Sequence, residues 1–212
     1  MLPVSELRKI LLAIPLPSES GLWTRAVRYQ LLQKAPPGFP GGSAPQPLWP
    51  GGPARTGARF TPLGGFGSLY LASDAVTALC EVAAVFAGVG TIRTPPWTVF
   101  AVEGFLERVL DLTDTNIQSR LGTSLAELTG DWLLSQDLHQ EGKGPLPPTQ
   151  RLAKVAYDTG MVTAIRYRST KNIRGGVNLM VFSDRLKPGQ PSYLSVYDPS
   201  GLLRQKLPEK RF

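Results

Sequence analysis

Between Gln33 and Pro53 the chain carries seven prolines (Pro36, Pro37, Pro40, Pro45, Pro47, Pro50 and Pro53) and five glycines (Gly38, Gly41, Gly42, Gly51 and Gly52). Proline lacks the amide hydrogen and fixes φ, so this stretch supports neither a regular helix nor a central strand. It is expected to be a long surface loop. The 32 residues ahead of it are too few to bury a core of their own. It is therefore not a domain linker, and those 32 residues must pack onto the later part of the chain. At 212 residues and 42% apolar composition the chain has the means for one well-filled domain.

Outside that stretch, punctuation and periodicity suggest many short elements. Residues 1–14 read as an amphipathic helix stopped by Pro15 and Pro17. Leu22–Leu32 reads as a buried strand, and Ala58–Leu63 and Ser68–Ala72 as two strands around Gly64-Gly65-Phe66-Gly67. Asp74–Phe86 reads as a helix capped by Ser73 or Asp74, with Val76, Leu79, Cys80 and Ala83 on one face. Trp97–Val102 and Val109–Leu112 look extended, Asn116–Leu121 and Ser124–Leu134 look helical, and Gln136–Gly144 looks like a polar loop. A helix is expected over Thr149–Asp158, then strands at Val162–Tyr167, Val177–Phe182 and Tyr193–Val196. The predicted class is α+β, a single domain with a mixed β core, surrounding helices and the Pro/Gly-rich surface loop.

Composition removes several kinds of chemistry. The single cysteine, Cys80, excludes an intramolecular disulfide and argues against a Cys-based zinc site. The single histidine, His139, falls in a polar stretch and is a poor partner for a catalytic serine or cysteine. No metal is expected. No apolar run approaches the ~20 residues that span a bilayer, and the N-terminal run is broken by Pro15, so a cytoplasmic protein without a membrane partner is expected. The net charge of +7 suits an anionic partner, and its densest cluster is Arg166, Arg168, Lys171 and Arg174.

One residue stands out against its neighbours. Glu81 comes after Cys80 and precedes Val82-Ala83-Ala84-Val85-Phe86, in a helix that is otherwise nearly all apolar. A buried carboxylate is costly unless a partner or a ligand meets it. Arg25, inside the apolar strand, and Arg59, after Gly57-Ala58, are the cations available to it. The arrangement reads either as a fold-holding ion pair or as a cleft.

The order of segments resembles a known family. Arg59-Phe60, a Gly-rich turn, Leu69-Tyr70-Leu71-Ala72 and Ala78-Leu79-Cys80-Glu81-Val82 succeed one another, with eleven positions from Arg59 to Tyr70 and eleven more to Glu81. Val109–Thr113, Trp132, Ser169 and the closing Gly176-Val177-Asn178-Leu179 with Phe182 complete the set. This resembles the RES domain, over roughly residues 20–185. Two features depart from the pattern: Arg59-Phe60-Thr61 stands where Arg-Trp-Asn is usual, and the Pro/Gly-rich segment is longer than usual.

The resemblance implies an ADP-ribosyltransferase-like fold, with residues 1–19 as a helical extension, 20–212 as the NAD-binding domain and 33–57 as a loop insertion. It implies an NAD⁺ hydrolase or phosphorylase that cleaves the nicotinamide–ribose bond, the toxin of a toxin–antitoxin pair. Arg25 and Arg59 would hold the diphosphate, Tyr70 would stack on nicotinamide, and Glu81 would stabilise the oxocarbenium ion. Ser169 would bind NAD⁺ or orient Glu81. The cleft would be edged by Arg25, Arg59 and the 166–174 loop. The implied partners are NAD⁺, a helical DNA-binding antitoxin and a second copy in a homodimer.

Two rivals remain open. A protein ADP-ribosyltransferase would use the same site with a different acceptor. A non-enzymatic nucleic-acid-binding module would use the +7 charge, although no helix carries a basic face and the aromatics sit in apolar patterns. Gly64-Gly65-Phe66-Gly67 is not a Rossmann fingerprint, since no βαβ unit comes after it.

Overall fold

A computed structural model describes residues 1–33, 45–83, 96–172 and 174–209. Its elements, in chain order, begin with helix α1 (Val4–Ala13), strand β1 (Glu19–Arg28), helices α2 (Tyr29–Gln33) and α3 (Gly51–Thr56), strand β2 (Ser68–Ala72) and helix α4 (Ala75–Ala83). Strands β3 (Trp97–Leu106) and β4 (Val109–Asp111) precede helices α5 (Thr115–Arg120), α6 (Leu125–Thr129), α7 (Trp132–Gln140) and α8 (Pro148–Thr159). The chain closes with β5 (Ala164–Arg168), β6 (Val177–Phe182), a 3-10 turn at Ser183–Arg185, β7 (Tyr193–Tyr197) and β8 (Lys206–Leu207).

The strands form one mixed sheet in the order β4-β5-β6-β2-β1-β3-β7-β8, antiparallel except for the β4–β5 pair. Strand side chains alternate between faces, and β6 shows what each face buries. Met180 and Phe182 join a cluster with Leu7, Leu11, Phe60 and Leu152, under α1 and α8. Leu179 and Val181 join a second cluster with Trp23, Leu71, Val102 and Leu194. The first 32 residues are thus woven into both layers: α1 packs on α8, and β1 is a central strand between β2 and β3.

Several local expectations are corrected. The strand expected over Leu22–Leu32 starts three residues earlier and ends at Arg28, with Tyr29–Gln33 turning helical. The last residues of the Pro/Gly-rich stretch do form a helix, α3, because Pro53 lies in its first turn, where no amide hydrogen is needed. Residues 34–44 of that stretch lie outside the described residues.

Ala58–Leu63 is not a strand. Gly57 has φ +75, and Ala58 and Thr61 exchange backbone hydrogen bonds of 2.8 and 3.0 Å, closing a tight turn. The helix expected over Ser124–Leu134 breaks at Gly130, and Asp131 caps a new helix that takes in Gln136 and His139. The apolar face of α4 turns outward instead of into the core. Val76 and Leu79 are 60% and 40% exposed, while Thr77 is buried and Ala78 and Glu81 line the cavity. Thr77 is held there by Asp74, whose carboxylate accepts from its amide and hydroxyl at 2.8 and 2.7 Å. The continuation of this helix to Phe86 lies outside the described residues. Strand β8 has no counterpart among the expected elements.

Leu11 is fully buried between α1 and the α8 layer. Leu11→Ala is expected to cost about 2–5 kcal/mol of unfolding free energy, measured by urea denaturation. A loss under about 1 kcal/mol would mean that α1 is a dispensable extension rather than part of the core.

Candidate active site

The central antiparallel strands and three helices enclose a cavity of about 330 Å³. Its lining includes Arg25 from β1, Arg59 from the 57–61 turn, Tyr70 from β2, Glu81 from α4, Trp132 from α7 and Asn178 from β6. Four of the five residues singled out in the sequence therefore share one cavity. The fifth, Ser169, touches it through Glu81.

Glu81 is partly buried and its carboxylate is fixed by neutral donors. Ser169 Oγ donates to Glu81 Oε1 at 2.7 Å, and Asn178 Nδ2 donates to the same oxygen at 2.6 Å. Ser169 is itself oriented, because the amides of Lys171 and Asn172 donate to its Oγ at 3.2 and 3.0 Å. Asn172 also donates to Thr77 Oγ1 at 2.9 Å, so the 169–172 turn is latched onto the helix that carries Glu81. The Arg–Glu ion pair considered from sequence does not form: among the described residues no arginine lies at ion-pair distance from Glu81.

The two arginines are held by carbonyl oxygens instead of acids. Arg25 donates from Nη1 to the Tyr70 carbonyl (3.2 Å) and from Nη2 to the Trp49 carbonyl (3.3 Å), and its buried Nε has no hydrogen-bond partner. Loss of hydration pulls its pKa down to about 10, still charged at neutral pH. Arg59 donates from Nη1 to the carbonyls of Leu128 (2.9 Å) and Gly130 (3.0 Å), and from Nη2 to Thr170 Oγ1 (3.3 Å). It thereby satisfies orphan carbonyls at the end of α6. Burial lowers its pKa, and the neighbouring Tyr167 and Glu81 oppose the fall.

Tyr70 is tied at its hydroxyl, which accepts from the Phe60 amide at 3.1 Å and is bonded to Thr61 Oγ1 at 2.8 Å. Desolvation raises its pKa, and it raises that of buried Tyr167 well above the ordinary value, so both phenols stay neutral. The expected cationic rim is narrower than the sequence suggested. Arg166 is drawn away by Asp111 (2.9 Å) and Glu19 (3.6 Å), and of the 166–174 segment Tyr167 and Lys171 reach the cavity wall. The opposite rim is apolar, since Leu133 lines the cavity while 54% exposed, beside Leu134 at 60%.

Sequence reasoning missed the parts that hold the Arg59 turn. Gln150 is fully buried and donates from Nε2 to the Ala58 carbonyl (2.9 Å) and to Gln136 Oε1 (2.8 Å). Thr149 Oγ1 donates to the Arg59 carbonyl at 2.5 Å, and a Cβ on Gly57 would come within 2.0 Å of Gln136 Oε1. Gly57 is thus required both by its φ and by this close approach. Helix-borne glutamines carry no signal that separates them from surface residues. Asn178 did carry one, as the single polar residue of the apolar strand Val177–Phe182.

The RES domain family matches residues 31–195, most of the chain, and the protein belongs to that family. The fold is similar to a chain in the crystal structure of the M. tuberculosis MbcT–MbcA toxin–antitoxin complex, with a TM-score of 0.66 at 20% identity, covering 95% of this chain and 91% of that one. No curated protein matches the sequence.

Gln150→Leu removes two buried donors, leaving Ala58 and Gln136 oxygens short of partners, and is expected to cost about 1–3 kcal/mol in denaturant titration. An unchanged midpoint would mean that the 57–61 turn is held by its own hydrogen bonds alone.

Proposed function

We propose that this protein binds NAD⁺ and cleaves its nicotinamide–ribose bond, passing the ADP-ribosyl group to water or phosphate. The observation that carries the reading is Glu81: a carboxylate in the cavity, fixed by Ser169 and Asn178 and by no cation among the described residues. A carboxylate neutralised by arginine would be a structural element. One held by neutral donors keeps its charge for a positive ligand.

In the proposed reaction the C1′–N bond breaks and both electrons go to the nicotinamide nitrogen, which leaves neutral. The ribosyl carbon becomes an oxocarbenium ion, and the Glu81 charge stabilises it, as carboxylates do in glycoside cleavage. An oxygen of the acceptor then bonds to C1′ and gives up its proton. The role for Ser169 is to orient Glu81. Arg25 supplies the charge for the diphosphate, whose binding would relieve the cost of its desolvation. Arg59, with Nη1 committed to α6 carbonyls, adds its charge and shapes the wall. Tyr70, tethered at its hydroxyl, offers its ring to nicotinamide. Protein as acceptor is the alternative, and the products separate it: ADP-ribose or its phosphate on one side, labelled protein on the other.

The biological reading is the toxin of a toxin–antitoxin pair acting in the cytoplasm. It is supported by family membership and by the likeness to a chain of a toxin–antitoxin complex. No helix among the described residues is long and apolar enough to cross a membrane. The apolar rim of Leu133 and Leu134 suits a helical antitoxin whose terminal segment covers the cleft. A homodimer and a DNA-binding antitoxin belong to the same reading.

Glu81→Gln keeps the shape and removes the charge. It is expected to lower NAD⁺ turnover roughly a hundredfold or more, with an unchanged thermal midpoint. Full turnover in the folded variant would overturn the assignment. Expression of the wild-type chain in bacteria is expected to slow growth and lower cellular NAD⁺, and the Glu81→Gln form to do neither. Equal toxicity of the two forms would trace the harm to something other than NAD⁺ cleavage.

A further inference from the structure

A second cavity, of about 220 Å³, opens beside the first. Arg25 and Ala26 line both, so the two chambers meet at the Arg25 guanidinium. None of the other residues singled out for chemistry in the sequence lines the second chamber. Its walls include Val27, Leu31, Trp49 and Trp97, with Arg28 and Gln46 as polar members. Gln46 and Trp49 come from the end of the Pro/Gly-rich segment, the part of the chain that is longer than the family pattern.

The chamber is built firmly. The Trp49 carbonyl accepts from Arg25 Nη2, the Arg55 guanidinium lies 4.9 Å from the Trp49 ring centroid, and a Cβ on Gly51 would come within 2.5 Å of that indole. Trp97 opens β3 and has the Arg28 guanidinium 5.7 Å from its ring. Gln46 Oε1 accepts from Gln205 Nε2 at 2.6 Å, which fixes the amide and leaves its N–H groups as donors for the edge of a ligand.

We propose that this chamber is a subsite for a purine-sized nucleobase, the far end of a dinucleotide whose reacting end lies in the first cavity. Its place in the substrate rests on the NAD⁺ reading. Two indoles and apolar side chains offer flat, sequence-tolerant stacking area to a π-system. The cation between the chambers has no carboxylate partner among the described residues and a buried Nε without an acceptor, so a ligand crossing there carries its negative charge in the middle. A diphosphate linking two ring-bearing halves has that order of apolar, anionic and apolar parts.

The test uses the whole protein and probes that need no turnover. By calorimetry, AMP is expected to bind at least roughly tenfold more tightly than ribose 5-phosphate, the difference being the stacked base. Trp97→Ala is expected to erase that difference and Trp97→Phe to keep most of it. Trp49→Ala should do as Trp97→Ala does, and its ribose 5-phosphate affinity reports whether the Arg25 site survives. In turnover, the preference for NAD⁺ over nicotinamide mononucleotide should fall roughly tenfold or more in Trp97→Ala. Equal affinity for AMP and ribose 5-phosphate, including no binding of either, would overturn the proposal, as would an AMP preference that Trp97→Ala leaves intact. A base preference in a protein that leaves NAD⁺ uncut would uphold the subsite and refute the cleavage reading. NAD⁺ cleavage with no preference over the mononucleotide would do the reverse.

Discussion

The carboxylate of Glu81, gripped by Ser169 and Asn178, is the contact on which the rest of the site depends. It joins helix α4 to the turn after β5 and to strand β6, whose contact residues lie 88 and 97 positions further along the chain. Each partner is fixed independently. Asn178 is buried in a central strand, and Ser169 is oriented by two backbone amides in a turn that is latched to Thr77. Neutral donors lower the cost of burying part of a charge without cancelling it. The sheet therefore delivers a negative group to the cavity at a fixed position, which is what stabilisation of a developing cation requires.

The cationic side is built by the complementary device. Arg25 and Arg59 are surrounded by carbonyl oxygens, whose dipoles support a guanidinium without pairing it. Desolvation lowers the pKa of both, so the folded protein holds these charges at a cost that an anionic ligand would offset. Arg59 has a second task. It draws the end of α6 toward the 57–61 turn, while Gln150, Gln136 and Thr149 hold that turn from the other side. The wall formed by Trp132 and Leu133 depends on that anchoring, because α7 and its Asp131 cap begin directly after the Gly130 carbonyl to which Arg59 donates.

The sequence made some of this legible and concealed the rest for physical reasons. A charged residue in an apolar segment is conspicuous, and Glu81 and Arg25 were visible on that ground alone. The single-domain α+β class came from a proline-rich break too early to separate two cores. What periodicity could not supply was direction. In α4 the apolar Val76 and Leu79 point to solvent, while Thr77 is buried and Ala78 and Glu81 line the cavity, so a rule of apolar-in assigns this helix the wrong face. The 58–63 strand failed for a local reason: Gly57 and a reciprocal pair of hydrogen bonds favoured a turn over extension. The Gln136–Gln150 pair was invisible, since an amide gains meaning only from what lies across from it.

If the cleft breaks a glycosidic C–N bond through a sugar cation beside Glu81, the bond itself must report it. The most direct measurement follows NAD⁺ by proton NMR with stoichiometric protein, comparing ordinary substrate with substrate deuterated at the nicotinamide-ribose C1′. The expected result is free nicotinamide as a product and a slower reaction with the deuterated substrate, because C1′ flattens toward a cation in the transition state. Intact NAD⁺ after prolonged incubation with folded protein would contradict it.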